Sequence, residues 1–177
     1  MSSSPLRFLA LGLFTAALSG CGTVSDMVTS HVPSFKEGKS SIVVRLNQQK
    51  AYLRRGGENV AIAHVSTGRE GYKTPTGRFR VIRKDPDHRS SLYGDYVDAS
   101  GGIVKANVDV RKSRKPPGSH FRGAPMPFYL EFKPSYGLHA GHLPGHPASH
   151  GCVRLSYWKA RQFYRAVRIG TPVVVTH

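Results

Sequence analysis

The sequence is short of acid. Asp and Glu total 10 against 26 Lys and Arg, giving a formal charge of +16. That balance argues for an anionic partner: nucleic acid, an acidic membrane face or an acidic polymer. No Asp or Glu follows Glu131, so a carboxylate pair for glycoside hydrolysis cannot be built from the C-terminal part of the chain. Two cysteines exclude a disulfide scaffold and a four-cysteine zinc site. No apolar run reaches the ~20 residues that a membrane-spanning helix needs. Internal repeats and low-complexity tracts are also missing. What is present is 177 residues, 39% of them hydrophobic, enough for one packed domain and too few for two independent cores with a linker.

The N-terminus stands apart. Residues 8–18 form an apolar run of signal-peptide length, preceded by the single cation Arg7. The run ends in Leu18-Ser19-Gly20-Cys21, which resembles a bacterial lipobox. That resemblance implies a signal peptide over 1–20 and a lipidated Cys21 as the mature N-terminus. Gly22, rather than Asp, follows the cysteine, which favours an outer-membrane lipoprotein facing the periplasm. Export argues against a nucleic-acid partner. Residues 21–40 are polar, with no apolar periodicity, and read as a flexible tether. With Cys21 acylated, Cys152 is the one free thiol and no intramolecular disulfide can form.

From Ile42 the pattern changes to short apolar alternations separated by Gly and Pro. Strands are predicted around Ile42–Leu46, Ala51–Arg54, Val60–Val65, Arg78–Arg83, Phe128–Phe132 and Val173–Val175. The fold is expected to be all-β, a sandwich or barrel. One helix is predicted behind Ser156 as N-cap, with Ala160, Phe163 and Val167 at helical spacing. Arg165 and Arg168 suit its C-terminal dipole, Gly170 ends it and Pro172 prevents its continuation.

The chemistry concentrates between Tyr136 and Leu155, which holds His139, His142, His146 and His150 together with Cys152. Pro144 and Pro147 forbid a helix, so the segment is expected to be a loop. Three readings compete: a surface loop with a chance buried cysteine, a metal site built from the four histidines and Cys152, and a cysteine nucleophile served by a histidine base. A free thiol is only a few per cent ionised at neutral pH, so the third reading needs a base beside it.

His139 followed by Ser149-His150-Gly151-Cys152-Val153-Arg154 resembles the motif of the L,D-transpeptidase catalytic-domain (YkuD-like) family. Val65-Ser66-Thr67-Gly68, Thr74-Pro75-Thr76-Gly77 and Met126-Pro127-Phe128 are also similar to the family, and the likeness covers about residues 40–176. It implies a mainly β sandwich or barrel with one helix near the C-terminal side packed on it, and a catalytic domain over 41–177. It implies Cys152 as nucleophile and His139 as proton donor and acceptor, with the carbonyl of Ala140 or Gly141 orienting the imidazole. The N–H groups of Gly151 and Cys152 are the expected oxyanion donors. Ser149, His150, Arg154 and Tyr136 are groove candidates. Where some members have Asn, this chain has Arg154.

The implied substrate is a peptidoglycan tetrapeptide stem. Its third residue is acylated onto Cys152, D-alanine departs, and the acyl group passes to an amine of another stem or of a protein lysine. Hydrolysis on the same scaffold and a non-catalytic wall-binding lipoprotein are the alternatives. The reading calls for no cofactor and no metal, and takes the protein as a monomer. A basic cluster, Lys105, Arg111, Lys112, Arg114, Lys115 and Arg122, reads first as a solvated loop and second as a loop that captures muropeptide carboxylates or anionic wall polymers, with Pro116-Pro117-Gly118 as a candidate lid over the groove.

Overall fold

The computed structural model describes residues 38–177. Cys21, the signal peptide and nearly all of the tether expectation lie outside the described residues. The chain runs through β1 (Ser40–Arg45), β2 (Lys50–Arg55), β3 (Glu58–Ser66), β4 (Gly77–Arg80), β5 (Arg83–Asp85), β6 (Arg89–Val97), β7 (Ile103–Asp109), β8 (His120–Pro125), β9 (Tyr129–Lys133), β10 (Tyr136–Ala140), β11 (Val153–Leu155), α1 (Tyr157–Ala166) and β12 (Pro172–Thr176). Nine strands form one sheet in the order β4-β12-β1-β2-β3-β11-β10-β9-β5, and β7-β6-β8 form a second, small sheet.

Period-two burial explains the large sheet. Ile42 and Val44 on β1, Leu53 on β2, Val173 and Val175 on β12, and Leu130 and Phe132 on β9 all point to one core. The sheet curls because β4 and β5, consecutive in sequence, sit on opposite edges. Val81 N–H donates to Thr171 O at the β12 side, and Ile82 N–H donates to Glu131 O on β9. The single strand expected over 78–83 is therefore two. The chain changes partner at Val81, and Phe79 meets Phe132 with ring centroids 5.2 Å apart. α1 covers the remaining side of the core with Ala160 and Phe163. Ser156 is its N-cap residue, but its side chain makes no capping bond. The helix stops at Ala166, short of Arg168 and Gly170, and the Lys84 ammonium donates to Tyr164 O at 2.7 Å and Val167 O at 2.6 Å. These are carbonyls that a helix end leaves without intrahelical partners.

The basic stretch is not one loop. Lys105 lies on β7 and Arg122 on β8, and only residues 110–119 connect them. β7 and β8 both run antiparallel to β6, so that connection must travel back along the small sheet. Arg111 is committed within it, bonding Asp109 Oδ2 and the Tyr93 hydroxyl, both at 2.7 Å.

Candidate active site

The expected loop over 136–155 is partly strand. Tyr136–Ala140 is β10, Val153–Leu155 is β11, and only the stretch between is loop. β10 and β11 are parallel neighbours with His139 opposite Arg154. Leu138, Ala140, Val153 and Leu155 face the core. The two-residue period then turns His139, Arg154 and, just ahead of β11, Cys152 to the opposite face. Tyr129 and Glu131 on β9 join them. That face floors a groove of about 370 Å³, whose far wall comes from Ser90–Tyr93 on β6 and Ala124–Met126 at the end of β8.

The loop carrying Cys152 is held by hydroxyls and carbonyls from the other motifs. Ser66 Oγ donates to His146 O (2.8 Å) and accepts from Ala148 N–H. Thr67 O accepts from Ala148 and Ser149 N–H, both at 3.0 Å. Thr74 Oγ1 donates to Gly151 O (2.8 Å) and accepts from Gly68 N–H (2.9 Å). Ser149 is buried; its hydroxyl donates to Cys152 O and accepts from Gly151 N–H at 3.0 Å. Gly151, named above as an oxyanion donor, therefore directs its N–H into the turn. Its φ of +113° and the Tyr136 ring lying where a Cβ would project both require glycine.

His139 is buried, and its Nδ1 lies 2.8 Å from Ala140 O. Of the two carbonyls named above, it is that of Ala140 that meets the imidazole. With Nδ1–H donating to a carbonyl, Nε2 keeps its lone pair. Burial pushes the imidazole down to about 4, with Arg154 and His88 adding to the shift against the Ala140 carbonyl. Burial pushes the Cys152 thiol up, opposed by the Gly137 N–H, Arg154 and the Tyr129 hydroxyl. The thiol lies 3.8 Å from Ser135 O, an acceptor for its proton. At neutral pH the site thus holds a neutral thiol and a neutral imidazole rather than a standing ion pair.

His150 stands on the groove wall. Tyr93 stacks on it at 3.9 Å, Tyr72 meets it edge-on, and Arg69 Nη2 lies 2.8 Å from its Nε2. Burial and then Arg69 hold its pKa below the usual imidazole value. Arg154 lines the groove with no carboxylate partner among the described residues, its stem lying against Gly141. Tyr136 does not line the groove; it packs against Gly151. His142 reaches the rim, and His146 is exposed away from it. Among the described residues no three His, Cys, Asp or Glu side chains gather as a metal site. Arg114–Gly118 line a separate surface depression and do not cover the groove, which corrects the lid expectation.

Three contributors escaped the sequence reading. Tyr129, which the alternation of Phe128, Leu130 and Phe132 left unremarked, is buried, stacked on His88 at 4.3 Å, and its pKa is raised by burial and then by Cys152. Gly137 works against the rise in the Cys152 thiol's pKa, and it lies so close to the Tyr129 ring that a Cβ there would overlap it. Tyr93 gave no signal at all, because β6 has no clean alternation.

A family model, the L,D-transpeptidase catalytic domain (YkuD), matches residues 39–175, and the chain belongs to that family. It is 34% identical over 113 residues to the probable L,D-transpeptidase 3 of Mycobacterium tuberculosis; the match covers 63% of this chain and 37% of that protein. Solved structures show the same fold at low identity. An L,D-transpeptidase from Mycobacterium smegmatis superimposes with a TM-score of 0.59 at 18% identity, covering 78% of this chain and 59% of the other. LD transpeptidase LdtMt1 in complex with imipenem gives 0.58 at 18% identity, covering 77% and 58%. This chain spans less than two thirds of the length of each of these relatives.

Proposed function

We propose that this protein is a cysteine L,D-transpeptidase acting on peptidoglycan tetrapeptide stems. The observation that carries the reading is the common strand face of Cys152 and His139, with Nδ1 of His139 tied to Ala140 O. His139 Nε2 takes the thiol proton as Sγ attacks the carbonyl carbon of the third stem residue. The resulting oxyanion is stabilised by backbone donors at the loop end, of which the Cys152 N–H is the candidate once Gly151 is committed to Ser149. Collapse breaks the C–N bond to terminal D-alanine, whose amine takes the proton from His139. The thioester then meets an acceptor amine, from a second stem or a protein lysine. Its proton passes to His139, and Cys152 leaves and is reprotonated.

Arg154 is an unpaired cation in the groove, suited to a stem carboxylate. LdtMt1, similar in fold, is known in complex with imipenem; the strained β-lactam carbonyl of a carbapenem is a matching electrophile for Cys152 here. The N-terminal reading completes the proposal: Cys21 lipidated, the protein anchored in the outer membrane, and the groove presented to the wall from the periplasmic side.

The test is to incubate the full chain with disaccharide-tetrapeptide and read the products by mass spectrometry. Crosslinked dimer with release of D-alanine is expected. Tripeptide alone would replace transfer by hydrolysis, and unchanged substrate would overturn the reading.

A further inference from the structure

The most exposed large hydrophobic side chains among the described residues are Trp158, 70% exposed, and Ile169, 64% exposed. They flank the same element. Trp158 opens α1, and Ile169 lies in the turn that follows it. Between them come Lys159, Arg161, Arg165 and Arg168, with no acidic residue from one end to the other. Among the described residues none of these cations is paired with a carboxylate. Arg161 instead lies 5.8 Å from the centre of the Trp158 ring. The inner face of α1 is spent on Ala160 and Phe163 in the core, and helical spacing puts Trp158, Arg161, Gln162 and Arg165 on the opposite face.

We propose that the outer stripe of α1 docks on an anionic phospholipid surface. The chemistry matches at each point. Tryptophan sits at the headgroup level of a bilayer with its ring in the apolar boundary and its N–H in the polar layer. Arginines beside it pair with lipid phosphates, and each Lys or Arg brought to an acidic leaflet strengthens binding roughly fivefold. A glycan's hydroxyls donate as well as accept, and the one side-chain acceptor here, Gln162 Oε1, already takes a hydrogen bond from Lys159 at 3.3 Å. The stripe offers cations, Gln162 and apolar surface, and no carboxylate.

The fold gives this docking a direction. α1 packs on the core side of β9 and β10, whereas His139, Arg154 and Cys152 point from the other face of the same strands. A bilayer held by α1 therefore leaves the groove open on the side away from the lipid, where a wall polymer would lie.

Trp158 is the one tryptophan in the chain, so its emission reports this site alone, whatever else holds the protein to lipid. The full chain is titrated with vesicles of equal parts phosphatidylglycerol and phosphatidylcholine, some carrying brominated acyl chains. The proposal expects a blue shift and bromine quenching, both weakened by salt. Arg165→Gln should weaken binding roughly fivefold and R161E/R165E roughly 25-fold or more, with turnover unchanged and melting temperature lowered by only a few degrees through the helix dipole. Should the double variant not fold, the exposed single change still gives the answer. Unshifted emission while the chain cosediments with acidic vesicles would overturn the proposal. So would an equal shift on pure phosphatidylcholine, or a shift with soluble wall glycan and none with vesicles.

Discussion

Cys152 and His139 are each pushed toward the neutral form, the thiol up and the imidazole down to about 4. A base acts only when deprotonated, so the acid limb of kcat/KM should fall near pH 4 rather than near the 6.5 of a free imidazole. A limb near 6.5 would mean that His139 is solvated in the working enzyme. His139→Ala should lower turnover about 10²–10⁴-fold, and initial rates on tetrapeptide will measure it. Tyr129→Phe removes the hydroxyl facing the sulfur. A hydrogen bond to a charged group is worth about 1.5–3 kcal/mol, so alkylation of Cys152 by iodoacetamide at fixed pH should slow about tenfold or more. His139 and Cys152 were legible because the motif names residues directly. Tyr129 was not, since alternation puts it on the solvent side of β9, and only the small sheet, far away in sequence pattern, turns that side into a groove.

The strands that could be read were those with one wet face. Ile42, Val44 and Leu53 alternate because their strands bury one side; Leu130 and Phe132 mark the core side of β9, whose other side, with Tyr129, is covered as well. β7 could not be read: Ile103–Asn107 are exposed on both faces, so no period marks them. The break at Val81 was invisible for another reason, since it reflects which distant strands the chain meets and not the residues themselves. The loop bearing Cys152 depends on hydroxyls that looked like turn punctuation. Thr74→Val keeps the shape but strands Gly151 O and Gly68 N–H in a buried place. We expect a loss of about 1–3 kcal/mol in urea unfolding, with kcat falling further than stability alone explains. Stability and rate both at wild-type values would show that Thr74 does not hold the loop.

The molecule as a whole carries its acid sensitivity in two windows. His139 has a folded-state value below its unfolded one, so the unfolded chain binds its proton first, and stability is lost as pH falls from about 6.5 toward 4. Asp109, held at about 2 chiefly by its hydrogen bond from Arg111, gives up its contribution only below about 4. Melting temperature should therefore decline in the first window for the wild type and decline less for His139→Ala. The +16 charge acts at the same scale, drawing the domain toward anionic surfaces without bearing on the chemistry of the groove. The proposed chemistry rests on a covalent bond to Cys152 Sγ. The most direct test is the intact mass of the full chain after brief exposure to a carbapenem, followed by peptide mapping. The account predicts a single covalent adduct on Cys152, absent from Cys152→Ala and slower to form in His139→Ala. An adduct retained in Cys152→Ala would contradict it.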